Sequence, residues 1–186
     1  MIPRASPLQK IPPRLWPWLW LALAAALYTP FINLTIGQGN VASDLAAIES
    51  LVERHTFFIN GSPFADTIDK LKRGDRFFSQ KSPVFHLLAA LPYAALRLGG
   101  FSLARNPALC LRVLTFFMTV LPMGWLLALI FNHPWTRTHP LRFRFLLTLG
   151  FALGSLATPF AVTLNHYILA SACLLAAANR MTEIAD

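Results

Sequence analysis

The sequence predicts an all-α polytopic membrane protein, with about four transmembrane helices and with interfacial helices in a large first outer loop. Apolar residues make up 55% of its 186 residues and charged residues only 13%, whereas a soluble domain averages about 25% charged residues. The apolar residues form long blocks instead of following the short periods of soluble core elements. Most of the surface of this protein is therefore not expected to face water.

The net charge is +8, and the 16 lysines and arginines fall mainly at the edges of apolar blocks. Residues that anchor and orient a membrane protein are distributed in this way. The chain has no basic helix or aromatic-basic stripe, so membrane lipids are expected as partners and nucleic acid is not. Cys110 and Cys173 lie inside apolar blocks and predict neither a disulfide nor a metal site. We expect no cofactor; a divalent metal is compatible with the sequence but not supported by it.

The first predicted span is the apolar block 15–36, which follows a basic cytoplasmic N-terminus over 1–14. Its roughly 22 residues would reach ~33 Å as a helix, enough for a hydrocarbon core of ~30 Å. Three tryptophans near its basic end suit the membrane interface. A cleaved signal peptide is the alternative, because the alanines at 24–26 could follow a short apolar core. We favour a retained anchor, since the apolar run continues to Ile36.

An outer loop is predicted over 37–81, where acidic and basic residues are mixed. Within it, 41–54 predicts an amphipathic helix lying along the membrane surface. Asp44 falls on the shoulder of its apolar stripe, and Arg54 faces away from that stripe. The chain from there to Phe78 is expected to be extended, with tight turns.

The rest of the chain alternates between apolar blocks and basic connections. The block 82–98 is short and contains Pro92, so it predicts either an interfacial helix or a short span. The remaining predicted segments are a transmembrane helix over 107–131, a basic loop over 132–144, a transmembrane helix over 145–164 and a further, full or truncated, transmembrane helix over 165–180.

The arginines of the 132–144 loop decide the predicted orientation. If 82–98 does not cross the membrane, this loop is cytoplasmic, in agreement with the positive-inside rule. If 82–98 does cross, the same arginines lie outside. We favour four spans with both termini inside.

Several polar residues converge on the outer face in this topology, and ionisable groups at a membrane boundary are candidates for function. A carboxylate able to act as a base, facing cations able to hold phosphate, suits transfer from a lipid-linked phosphate donor. The alternatives are a solvated or capping Asp44, an interfacial anchor at Lys81 and a structural role for His166. The candidate residues are Asp44, Arg76, Lys81, Asn165 and His166.

The run from Asn40 to Leu88, with LVERHTFFINGSPF and TIDKLKRGDRFFSQKSPVFHLL, resembles the first outer loop of bacterial GT-C-type glycosyltransferases. These polytopic enzymes are akin to protein mannosyltransferases and lipid A aminoarabinose transferases. Their aromatic-serine element and Lys-x-Pro are matched by Phe77-Phe78-Ser79 and Lys81-Ser82-Pro83. The later stretch GSLATPFAVTLNHYILASACLLAA also looks like a span of this family that ends at the outer face.

The resemblance implies sugar transfer from a polyprenyl-phosphate carrier to an envelope acceptor, at the outer face of the bacterial inner membrane. Asn40 stands where the family's catalytic carboxylate is expected, so Asp44, one turn later, becomes the candidate base and Asn40 helps to place the acceptor. Lys81 and Arg76 would hold the carrier phosphate, with Asn165 and His166 nearby.

Two departures from the family have consequences of their own. His55 replaces a usual glycine, which should stiffen that turn. The family typically has around ten or more spans, so the chain resembles only its N-terminal half.

The alternative hypothesis is a non-enzymatic membrane protein, a degenerate paralogue or assembly partner in envelope glycan synthesis. A small transporter is a third, less supported hypothesis.

Overall fold

The computed structural model describes residues 11–37 and 39–185, and in them the protein is mostly helical. Most of the predicted N-terminus 1–14 therefore lies outside the described residues. The elements in chain order are α1 (Trp16–Tyr28), α2 (Asn40–Arg54), β1 (Lys70–Arg73), β2 (Arg76–Ser79), α3 (Pro83–Leu98), α4 (Pro107–Thr115), α5 (Leu121–Asn132), α6 (Pro134–Arg137), α7 (Leu141–Gly154), α8 (Ala157–Ala161) and α9 (Tyr167–Ala185).

The described residues form two compact units. The bundle unit comprises 11–31, 119–162 and 167–185, and the loop unit comprises 32–37, 39–118 and 163–166.

One helix among the described residues is long and apolar enough to cross a membrane, the 26-residue Pro107–Asn132, with a mean hydropathy of 2.2 over its most apolar 18 residues. It joins α4 to α5 through a π-helical turn at Phe116–Val120. Pro122 follows this turn, and a proline inside a helix lacks the N–H of the regular ladder, which irregular turns accommodate. A buried core helix of a soluble protein can have the same length and hydropathy. Membrane crossing by this helix, and by the other predicted spans, is therefore still a prediction.

The first predicted span, 15–36, is shorter than expected. Its α-helix ends at Tyr28, with 3₁₀ turns at Pro13–Leu15 and Thr29–Phe31, and 32–37 has no regular structure. Pro30 explains the end, because its ring clashes with the carbonyl four residues earlier and disfavours a helical residue before it.

The predicted span 145–164 is wrong as one continuous helix. It divides into α7 and α8, with Ser155 in an extended conformation between them (φ −98°, ψ 163°). Pro159 could not donate to the Ser155 carbonyl in a continuous helix, which disfavours regular helix at this point. The predicted loop 132–144 contains α6 and the first residues of α7, and the helix predicted over 165–180 is observed as Tyr167–Ala185.

Within the bundle unit, α1 packs closely against α5 at Gly124. A Cβ placed there would lie 2.8 Å from the Leu21 Cα and 3.2 Å from the Ala24 Cβ. Trp16 and Trp20 pack on Phe131, with ring centroids 4.6 and 5.6 Å apart. The absence of a side chain at Gly124 is therefore what permits this approach of the two backbones, as at many helix contacts in membranes.

In the loop unit, α2 exists as predicted but does not lie on a surface over most of its length. Every residue from Ala42 to Ser50 is buried, including Asp44 and Glu49. Arg54, predicted to face away from the apolar stripe, bonds the Glu49 carboxylate and the Gly61 carbonyl through its guanidinium. The interpretation of α2 as a half-exposed amphipathic helix is corrected accordingly.

The extended chain predicted after α2 contains an antiparallel hairpin, in which Lys70 pairs with Ser79 and Arg73 with Arg76. Gly74 has a φ of +60° at its turn, which glycine adopts without steric cost. Asn60 fastens the hairpin, because its amide donates to the Asp75 carbonyl (2.8 Å) and accepts from the Phe77 N–H (2.7 Å). Ala46, Ala47 and Ile59 form a buried cluster beneath it.

Candidate functional site

A carboxylate–imidazole pair lies at the centre of the loop unit. Asp44 Oδ1 is 2.9 Å from His86 Nε2, and the side chains of the two residues are 1% and 3% exposed. Asp44 lies in the second turn of α2, and His86 lies in the first turn of α3, which begins at Pro83. Proline at the first position of a helix is favoured, because it loses no helical hydrogen bond there.

A second polar contact sets the register of α2 against α3. The Tyr93 hydroxyl donates to the Glu53 carboxylate and accepts from the Leu103 N–H at 3.0 Å. Glu53 follows Asp44 by nine residues and Tyr93 follows His86 by seven, so the two helices run in parallel along these contacts. The Asp44–His86 pair is thus held by its own bond and by a distant contact between the same helices.

Burial raises the pKa of Asp44 above its usual value, although the hydrogen bond and charge of His86 and the charges of His166 and Lys81 act in the opposite direction. The pKa rises because removal from water disfavours the ionised carboxylate. The Asp44 Oδ2 atom is buried and makes no hydrogen bond to the described residues. The alternative of a solvated or capping Asp44 is therefore wrong.

Lys81 forms an ion pair with Asp69, with 2.7 Å between its Nζ and the Asp69 Oδ2. The two side chains are 16% and 13% exposed. Ser43, next to Asp44, donates its hydroxyl to the Asp69 carbonyl at 2.6 Å and lies 2.7 Å from the Ser79 hydroxyl. These bonds tie the hairpin to α2 and hold the Lys81–Asp69 pair in the same region as Asp44.

A cavity of about 440 Å³ lies beside the pair, and both His86 and Lys81 line it. Asp44 is not among its lining residues, so His86 is the member of the pair that borders the cavity. The other lining residues are mainly apolar: Ala47, Phe57, Phe78, Ser79 and Pro83.

Two predicted site residues lie elsewhere. Asn40 is exposed at the first residue of α2. Arg76 is exposed, its guanidinium is 4.0 Å from the centroid of the Phe58 ring, and it lines a separate cavity at the hairpin turn. The structure thus does not bring Arg76 into the cavity that Lys81 lines.

His166 and Asn165 belong to the loop unit although they follow it by many residues in sequence. The His166 ring centroid is 6.1 Å from that of Phe85, and its charge acts on Asp44. Asn165 is buried, and its amide donates to the Thr163 carbonyl at 2.6 Å. His166 therefore joins the Asp44 region, and Asn165 has a local structural contact.

His86 and Asp69 are the two site residues that sequence reasoning did not select. The available signal was a histidine in an otherwise apolar segment, five residues after the Lys81 of the Lys-x-Pro motif. Asp69 carried no comparable signal, because the loop contains several acidic residues of similar spacing.

Among the described residues no group of three or more metal-ligating side chains occurs.

No protein-family model matches this chain, and no significant match is found among curated proteins or solved structures.

Proposed function

We propose that the protein is a GT-C-type membrane glycosyltransferase, or the N-terminal part of one, that uses a polyprenyl-phosphate-linked sugar. The observation that carries this proposal is that Lys81 and His86 line one cavity, with Asp44 hydrogen-bonded behind His86. This places a cation able to bind phosphate beside a group able to accept a proton. Both groups suit sugar transfer from a phosphate-linked donor.

In this proposal Lys81 binds the phosphate of the donor. An ammonium has three N–H donors, so Lys81 can donate to a phosphodiester while it keeps its ion pair with the Asp69 carboxylate. The apolar walls formed by Phe57, Phe78 and Pro83 suit the carrier and the faces of a sugar ring.

The Asp44–His86 pair serves as the base. The acceptor hydroxyl oxygen forms a bond to the anomeric carbon, and the bond from that carbon to the phosphate oxygen breaks. The polyprenyl phosphate leaves with the electron pair, and the hydroxyl proton passes to His86. Asp44 orients the imidazole and stabilises its protonated form, as a buried carboxylate does behind a catalytic histidine.

The proposed setting is a multi-pass protein in the bacterial inner membrane, with the loop unit at the outer face. The apolar helix Pro107–Asn132 and the basic residues at the edges of the apolar blocks support this setting.

The test is release of polyprenyl phosphate by the purified chain in lipid nanodiscs supplied with a panel of polyprenyl-phosphate sugars and membrane extract as acceptor. We expect Lys81→Ala to raise the donor KM and His86→Gln to lower kcat. Lys72→Ala is the matched control, since Lys72 is an exposed hairpin lysine that does not line the cavity. Equal activity in all three variants, at equal amounts of folded protein, would remove this mechanism.

A second candidate is a non-enzymatic membrane protein in envelope glycan synthesis. The observation that favours it is that Asn40, at the position of the family's carboxylate, is an exposed amide, while Asp44 and Lys81 already have protein partners. In that case the chain binds the donor, or a partner protein, without turnover. Donor binding by nanodisc-embedded protein that Lys81→Ala abolishes, with no release of polyprenyl phosphate by the native chain, would support it.

A further inference from the structure

A second, larger cavity lies in the bundle unit and is basic. Its volume is about 760 Å³, and its lining includes Trp16, Asn132, Arg137, Leu141 and Arg144. Among the described residues, no acidic side chain lines it, and neither Arg137 nor Arg144 forms an ion pair. The site therefore presents two arginines without a carboxylate to neutralise them.

Arg144 is held in place by the end of α5. Its Nε and Nη2 donate to the Phe131 carbonyl at 3.1 and 2.9 Å, and its guanidinium lies 4.3 Å from the centroid of the Phe131 ring. These contacts fix the plane of the guanidinium. The Nη1 group makes no hydrogen bond to the described residues and is free to donate to a ligand.

Arg137 adds a second positive charge, close enough to act on Arg144. Its side chain is exposed and forms no ion pair with the described residues. Two like charges facing one cavity repel each other, and an anion between them would add two attractions that outweigh this repulsion. Guanidinium groups also match the geometry of phosphate oxygens.

The surroundings indicate where the anion comes from. The cavity lies where α1 begins, α5 ends and α7 begins, so the ends of three apolar helices meet there. Trp16 and Leu141 supply an aromatic and an aliphatic wall, and tryptophan at a helix end is typical of the membrane interface. The sequence predicts the cytoplasmic side for both the N-terminus and the 132–144 loop, and anionic lipids give that leaflet its negative surface potential.

We propose that this cavity binds the phosphate of an anionic phospholipid headgroup, with Arg137 and Arg144 as its ligands. The proposal does not depend on sugar transfer. The Arg144 Nη1 and the Arg137 guanidinium contact the phosphate oxygens, and the apolar walls lie along the glycerol and the first acyl carbons. A zwitterionic phosphatidylcholine fits less well, because its choline cation enters an already positive site.

The test measures binding of fluorescent phosphatidylglycerol and phosphatidylcholine to the purified full chain in a neutral detergent. We expect tighter binding of phosphatidylglycerol, and about a fivefold loss of its affinity in Arg137→Gln, the value of roughly one interfacial charge. Arg142→Gln is the matched control, because Arg142 is an exposed arginine of the same segment that does not line the cavity. It should leave the affinity unchanged.

Arg144→Gln should weaken binding further, and a measured melting temperature shows whether that variant folds. If it does not fold, Arg137→Gln decides alone, since the Arg137 side chain has no contact that the fold requires. Equal losses in Arg137→Gln and Arg142→Gln would show general surface attraction and overturn the proposal. Competition by inorganic phosphate or glycerol 1-phosphate as strong as that by the lipid would overturn the assignment to a lipid.

Discussion

The imidazole of His86 lies between the carboxylate of Asp44 and the cavity that Lys81 also lines. The member of the pair that borders this cavity is thus a histidine on α3, and not the acid on α2 that the sequence indicated. Removing either partner of this pair leaves a buried polar group without its hydrogen bond, which typically costs about 1–3 kcal/mol and more for a charged group.

The raised pKa of Asp44 predicts a pH dependence of stability. Because its pKa is higher in the folded protein than in the unfolded chain, the unfolded chain loses this proton first as pH rises, and the folded protein loses stability between the two pKa values. Asp44→Asn removes this dependence. We expect the melting temperature of the native protein to fall relative to Asp44→Asn as pH increases from about 4, the ordinary value for aspartate. A relative gain in stability over that range would show that the charge of His86 outweighs burial.

The Lys81–Asp69 ion pair should be energetically coupled more strongly than an exposed pair. A double-mutant cycle with Lys81→Ala and Asp69→Ala is expected to give about 1–2 kcal/mol of coupling, because both side chains are largely shielded from water. The control is Arg97–Glu53, which is 3.4 Å long with side chains 39% and 24% exposed, and should give roughly 0–1 kcal/mol. Chemical unfolding in detergent measures both. Equal coupling in the two pairs would contradict the prediction.

His55 ends α2 in the left-handed conformation, with φ 53° and ψ 37°. A side chain at this conformation costs about 1–2 kcal/mol, which glycine avoids, although glycine also loses more chain entropy on folding. We therefore expect His55→Gly to stabilise the protein by about 0.5–1 kcal/mol in thermal unfolding. His55→Ala serves as the control and should not stabilise. If both variants behave alike, backbone strain is not the cause.

The close approach of α1 and α5 predicts that Gly124→Ala lowers stability. The added methyl group would lie 2.8 Å from the Leu21 Cα, a backbone atom that cannot rotate away, and such overpacking typically costs about 1–3 kcal/mol. Gly150→Ala in α7 is the matched control, because nothing lies within 4 Å of the added Cβ. Thermal unfolding of both variants should show a loss only for Gly124→Ala; a similar loss at Gly150 would attribute the effect to glycine itself.

Whether 82–98 crosses the membrane can be tested by cysteine labelling in a background with Cys110→Ala and Cys173→Ala. Ala104 is exposed, so Ala104→Cys should react with an impermeant reagent added outside whole cells if 82–98 does not cross. Thr138→Cys, in the basic loop, should react only after permeabilisation. Reaction of Thr138→Cys from outside, with Ala104→Cys protected, would show that 82–98 crosses the membrane and that the basic loop lies outside.

The sequence could predict the elements whose signals are local. The apolar stripe of 41–54 predicted α2 to within one residue, and the length and hydropathy of 107–131 predicted the helix Pro107–Asn132. The corrections also have local causes that were visible in the sequence, since Pro30 and Pro159 each remove a helical hydrogen bond. The spans 15–36 and 145–164 were nevertheless predicted as continuous helices, because mean hydropathy is taken over many residues and a single proline changes it little.

The sequence by itself determined that the chain is mostly helical and apolar, and that its acidic residues concentrate in 37–81. Tertiary structure alone decided which residues those acidic groups contact. Asp44 and His86 are 42 positions apart, and Ser43, Asp69 and Ser79 meet only because the hairpin folds onto α2. Hydropathy and helical period describe neighbours along one element, whereas the burial that raises the pKa of Asp44 comes from packing between elements. For that reason α2, which the sequence predicts to be half-exposed, is buried over most of its length in the structure, and its Asp44 carboxylate contacts His86.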